Sequence, residues 1–120
     1  MKTLKSKTFA LVTGAGSGIG RAIAEALAYR GKNILLVALP EPALYETASY
    51  IRSVYHVEVL TYITDLSQPS NCELLHNWIE QSDISISILV NNAGIGCTGA
   101  FEQYSISFYQ KQISLAIVKK

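Results

Sequence analysis

The stretch Thr13-Gly14-Ala15-Gly16-Ser17-Gly18-Ile19-Gly20 lies between an apolar run, Phe9-Ala10-Leu11-Val12, and an alanine-rich segment. Its glycines at 14, 18 and 20 are spaced Gly-x3-Gly-x-Gly. Glycines so placed permit a tight turn, a close backbone approach to a bound anion, and packing of a helix on a strand. A strand that feeds such a turn into a helix start aims bare backbone N–H groups and the positive helix end at one phosphate-sized space. The implied chemistry is the gripping of a diphosphate, and a dinucleotide is the expected ligand. An ordinary glycine turn entering a helix would show the same glycines, so the reading needs further matches along the chain.

Apolar strand-like runs recur at Phe9–Val12, Ile34–Leu39, Val57–Ile63 and Ile84–Val90, with helix-period stretches between them. That alternation predicts an α/β chain with a parallel sheet covered by helices. In the first helix Ile19, Ile23 and Leu27 form an apolar ridge, and Ala22, Ala24, Ala26 and Ala28 permit close approach to the sheet. Gly31 is expected to end it. Beyond Pro40 and Pro42, the spacing of Leu44, Ala48, Ile51 and Tyr55 predicts a second helix over 42–54. Ser67 is placed to cap a third, whose Leu74, Leu75, Trp78 and Ile79 are expected to face the core. A glycine-rich loop, Gly94 to Gly99, precedes a last helix expected from about residue 105 into the C-terminus.

With 120 residues, 49% of them hydrophobic, the chain fits one domain with a real core. The formal charge is +1 and the basic residues are scattered, which argues against a nucleic-acid partner. No stretch approaches the roughly 20 apolar residues of a membrane span, so no membrane role is expected. Cys72 and Cys97 have no metal-ligand or redox spacing, His56 and His76 have no partners at ligand spacing, and no metal site is expected. The expected setting is a reducing, cytoplasmic one.

Two further matches accompany the glycine turn: Asp65-Leu66 after the third apolar run and Asn91-Asn92-Ala93-Gly94 after the fourth. Together the three motifs resemble the short-chain dehydrogenase/reductase family, and the resemblance runs over the whole chain but only the amino-terminal half of a family member. It implies a Rossmann-like doubly wound parallel sheet, here partial, with about four strands in the order 3-2-1-4. It also implies that Gly14, Ser17, Gly18, Ile19 and Gly20 surround the pyrophosphate of NAD or NADP. Asp65 with Leu66 would hold the adenine edge, and Asn91, Ala93 and Gly94 would line the adenosine and ribose side. A plainer reading exists for Asp65, as a turn residue before a helix, and for Asn91-Asn92, as a strand-end amide pair bonded to the Thr13 turn. In relatives the choice between NAD and NADP is made at the end of the second strand, where Ala38 and Leu39 stand. Neither an acid nor a base occupies these positions, so NADP is weakly favoured, with Arg21 and Lys32 read as solvated charges.

Family members transfer hydride between the nicotinamide and a carbonyl or alcohol with an Asn-Ser-Tyr-Lys set, which needs a Lys four residues after the Tyr on one helix face. None of the seven tyrosines, Tyr29, Tyr45, Tyr50, Tyr55, Tyr62, Tyr104 and Tyr109, has one, and all are read as core or surface aromatics. Ala116 stands where the resemblance places the catalytic Asn, so no catalytic residue is assigned. Cys97 lacks a companion base and is not read as a nucleophile. The expectation is therefore the NAD(P)-binding portion of an oxidoreductase, inactive as a 120-residue chain. The alternative is a non-catalytic dinucleotide-sensing or regulatory module. A small-molecule substrate is expected only with a carboxyl half, and self-association is expected through an unpaired fourth strand.

Overall fold

The computed structural model describes residues 7–16 and 18–92, together with the backbone of Ala116–Lys119. Strands β1 (Lys7–Thr13), β2 (Asn33–Ala38), β3 (Val59–Ile63) and β4 (Ile84–Asn91) alternate with helices α1 (Gly18–Tyr29), α2 (Pro42–Tyr55) and α3 (Pro69–Gln81). A last strand, β5, covers Ala116–Lys119. All pairings are parallel and the sheet order is β3-β2-β1-β4-β5. This is the expected Rossmann-like sheet with the 3-2-1-4 order.

Because side chains alternate across a strand, β1 feeds two separate cores. Phe9 and Leu11 join Leu35, Val37, Ile86 and Leu89 beneath Leu75 and Ile79 of α3. Ala10 and Val12 join Ile34 and Leu36 on the other face, beneath Ala24 and Ala28 of α1 and Leu44, Ala48 and Ile51 of α2. The face of α1 that meets the sheet is thus the small one, Gly20, Ala24 and Ala28, and not the ridge of larger residues. Ile23 and Leu27 are only partly buried, and Ile19 is exposed. Small side chains win this contact because they let the helix axis approach the sheet closely, whereas a row of isoleucines would hold it away. Gly31 ends α1 as expected: at φ +83° it donates to Ala28 O, while Lys32 N–H reaches Leu27 O. That pair of bonds is a Schellman closure.

Three other expectations need correction. Ser67 does not cap α3: the cap position is Gln68, and Ser67 turns back to Asp65. On α3, Leu75 and Ile79 are buried as expected, but Leu74 is 59% exposed and Trp78 38% exposed. A helix lying on one sheet covers a single stripe, and Trp78 sits at its margin with its ring 5.1 Å from that of Tyr62. Ala116–Lys119, expected at the end of a helix, forms β5 and pairs with Ile88 to Asn91 of β4. The apolar run Ala116-Ile117-Val118, with its β-branched Ile117 and Val118, suits a strand, and the open edge of β4 supplies the ladder partners it needs. With β5 in place β4 is no longer a sheet edge, which removes the basis for self-association through it. The helix expected from about residue 105 lies outside the described residues, as do Cys97, Tyr104 and Tyr109. Cys72 is buried on α3. No described helix is long and apolar enough to cross a membrane.

Truncating Leu75 to Ala should cost about 2–5 kcal/mol, the range for a fully buried leucine, whereas Leu74→Ala should stay within about 0.5 kcal/mol. Urea unfolding of the two variants measures the difference, and equal losses would mean that α3 presents another face to the sheet.

Candidate functional site

The carboxyl ends of β1, β2 and β3 open at one end of the sheet, where a parallel α/β architecture leaves room for a ligand. There β1 passes into the glycine turn. Gly14 has φ +62° and Gly18 has φ +62°, a left-handed backbone that glycine adopts without steric cost. Gly20, buried in the first turn of α1, has no room for a side chain: a Cβ there would collide with the Gly14 carbonyl group and lie 2.9 Å from Asn92 Nδ2. The three glycines of the motif thus act separately, two in turning and one in packing.

Side chains from β4 and the residue after it hold the turn. The Asn92 backbone N–H donates to Thr13 Oγ1 at 2.8 Å, and Asn92 Nδ2 donates to Gly14 O at 3.3 Å. Thr13 Oγ1 lies 3.4 Å from both Val90 O and Asn91 Oδ1, its available acceptors. Thr13 and Asn91 are buried, so these polar groups need the partners they have. The plain reading of the Asn91-Asn92 pair, an amide clamp on the Thr13 turn, describes this geometry. From the other side, the buried Thr47 hydroxyl of α2 donates to Gly16 O at 3.2 Å.

Beside the turn is a cavity of about 320 Å³ lined by Gly14, Gly16, Val37, Ala38, Leu39, Glu41 and the run Thr64 to Ser67. That volume suits part of a nucleotide. Leu39 is half exposed and Leu66 buried, and together they give the cavity apolar surface. Asp65 belongs to a tight turn: its Oδ1 accepts from Ser67 N–H at 3.0 Å and from Ser67 Oγ–H at 2.7 Å, and its backbone O accepts from Asn71 Nδ2 at 2.9 Å. The Ser67 hydroxyl, followed by the Ser67 amide, holds the Asp65 carboxyl below the usual carboxylate range, since both donors favour the charged form.

Of the residues singled out by sequence, the structure brings Gly14, Leu39, Asp65 and Leu66 to the cavity wall. Gly18, Ile19 and Gly20 form the start of α1, and Asn91 ends β4. Ser17, Ala93 and Gly94 lie outside the described residues. Sequence reasoning missed Glu41, Thr47 and Thr64. Only Glu41 carried a legible signal, an acidic residue between Pro40 and Pro42 just past the end of β2. Arg21, taken as a solvated charge, forms an ion pair with Glu25 at 2.9 Å and lies over the Tyr50 ring at 5.4 Å.

The arrangement can seat a diphosphate at the helix start and a flat base in the slot between the β2 and β3 ends. The profile of the short chain dehydrogenases matches residues 8–118. This chain belongs to that family. Among its relatives, the very-long-chain 3-oxoacyl-CoA reductase-A of Danio rerio is 38% identical over 87 residues, 72% of this chain and 27% of that protein. The inactive hydroxysteroid dehydrogenase-like protein 1 of Rattus norvegicus is 36% identical over 104 residues, 85% of this chain and 29% of that protein. A short-chain dehydrogenase from Sphingobium yanoikuyae, solved in complex with NADPH, superposes with a TM-score of 0.77 at 29% identity, covering 94% of this chain and 52% of the other. The chain spans less than a third of the length of these two curated relatives.

Gly20→Ala should lose about 1–3 kcal/mol of stability or more, because its neighbour is backbone and cannot step aside. Gly18→Ala, with open space around it but a left-handed backbone, should lose about 1–2 kcal/mol. Chemical denaturation ranks them, and a larger loss at Gly18 would contradict the close approach of α1 to the turn. For Asp65 the folded value is depressed, so its turn contributes stability above the unfolded-state carboxyl value and loses it as pH falls through the folded one. Ser67→Ala should move the Asp65 titration, followed by carboxyl NMR, back up toward the ordinary range. The stability gap between the two proteins should close in acid, and an unmoved titration would remove the Ser67 hydroxyl as the cause.

Proposed function

We propose that this chain is a single dinucleotide-binding domain, the cofactor-holding portion of an NAD(P)-dependent oxidoreductase that interconverts carbonyls and alcohols. One observation carries the reading: a left-handed glycine turn delivers β1 into the start of α1 beside a cavity walled by the ends of β2 and β3. The residues present fit a nicotinamide dinucleotide, because the missing Cβ at Gly20 is what lets the helix start close on the turn. Such a group, when bound, supplies or accepts the hydride.

In this reading the backbone around Gly14, Ser17, Gly18, Ile19 and Gly20 holds the diphosphate. Leu39 and Leu66 sandwich the adenine, and Asp65 accepts a hydrogen bond from its amino group. Asn91, Ala93 and Gly94 border the ribose, with Asn91 acting mainly through the Thr13 turn. The substrate belongs to the whole protein and is a small carbonyl or alcohol. A cytoplasmic location goes with the reading.

A second reading, a dinucleotide-sensing module without turnover, is favoured by the likeness to a relative named as inactive. Titrating the chain with NAD and with NADP in a calorimeter should give saturable heat with at least one of them and no hydride transfer to a ketone. No heat from either up to millimolar concentration would defeat both readings, and ketone reduction by the 120-residue chain would defeat the second.

A further inference from the structure

The ends of β2 and α2 are joined by Leu39-Pro40-Glu41, and Glu41 is the cap residue of α2 in extended backbone, φ −154° and ψ 149°. Its carboxylate makes no capping bond to α2. It reaches across to the glycine turn instead: a Cβ built on Gly16 would collide with Glu41 Oε1 and lie 3.0 Å from Cδ and 3.6 Å from Cγ. The side chain therefore lies along the bare backbone of Gly16, and both residues line the cavity.

The charges around it point one way. The lining residues include two carboxylates, Glu41 and Asp65, and no cation. Asp65 is engaged with Ser67, whereas no ion pair to Glu41 occurs among the described residues. Arg21, a basic side chain of the first turn of α1, is held by Glu25 and the face of Tyr50. A sugar diol could donate hydrogen bonds to the Glu41 carboxylate, while a phosphate on the same sugar would bring about two negative charges against it with no counter-ion in the wall.

The geometry points to Glu41 as the residue that selects the cofactor, admitting NAD and disfavouring NADP, and Gly16 as the residue that makes room for it. This rests on the dinucleotide reading above and reverses the preference drawn from Ala38 and Leu39 alone. The discriminating charge enters from the α2 cap, beyond the two strand-end positions, because the Pro40 and Pro42 rings limit the backbone on either side and an extended Glu41 is aimed back over the turn. Selection here is a difference of affinities produced by one repulsive element.

The test is the ratio of NADP to NAD dissociation constants for the full chain, measured by calorimetry at low and high salt, with folding checked by circular dichroism. The unmodified protein should bind NAD at least about tenfold more tightly than NADP, and the ratio should narrow as salt screens the exposed carboxylate. Glu41→Gln should bring the ratio to within about threefold, mainly by tightening NADP, and Glu41→Lys should invert it. Gly16→Ala keeps the charge but displaces the flexible carboxylate, so it should narrow the ratio as well, which keeps the proposal open to test if a Glu41 variant fails to fold. Equal or tighter binding of NADP by the unmodified protein, or a ratio that Glu41→Gln leaves unchanged, overturns the assignment while leaving dinucleotide binding intact. Binding of neither cofactor overturns the assignment together with the dinucleotide reading.

Discussion

The contact on which the rest of this structure depends is the one between the first turn of α1 and the peptide of Gly14. Gly20 comes so close to that carbonyl that no side chain fits between them, and Asn92 closes the same gap from the end of β4. A helix start can hold an anion only if its free N–H groups face a fixed point, and the point is fixed here by bringing helix, turn and strand end into van der Waals contact. The small face of α1, Ala24 and Ala28, continues the same demand down the sheet. Packing and binding thus make the same claim on sequence, a run of residues with little or no side chain.

Around this contact the polar groups are arranged as a clamp. Thr13 and Asn92 tie β1 to β4, and Thr47 ties the turn to α2. Each bond joins residues at least about thirty positions apart in the chain, so the turn is held by three separate elements and not by its own local geometry. Buried hydroxyls and amides are costly when unpaired, which gives the clamp its specificity: a turn displaced from the end of β4 would lose the Asn92 bonds to Thr13 and the Gly14 carbonyl. The free wall of the cavity is different in kind. It is exposed and acidic, carrying Glu41 from the α2 cap and Asp65 from the β3 end, and it is where members of one fold can differ in ligand while keeping the same turn.

Membership of the short-chain dehydrogenases and the sheet order agree with one another, and the sheet follows from the alternation of apolar runs. The addition of β5 to the edge of β4 is where the chain departs from its simplest reading. A short apolar, β-branched run is compatible with either a helix end or a strand, and periodicity over so few residues does not separate them. The unpaired backbone of a neighbouring strand does.

Legible in the residues alone were the four main strands, the three helices between them and the glycine turn, because each is written in local pattern: runs of β-branched residues, helical spacing, and glycines where a side chain is excluded. Asp65 and Asn91 were legible as well, each with a structural reading beside the functional one, and the hydrogen bonds of both fit the structural reading. Tertiary structure decided what local pattern cannot express. Helical spacing marked Leu74 and Trp78 as equals of Leu75 and Ile79, but a single sheet covers only one stripe of α3 and left the first two at its margin. Glu41 and Gly16 are 25 positions apart and meet only because α2 folds back against the turn, so the charge that faces the cavity was decided by where the backbone carries a side chain and not by the residue type at the strand end.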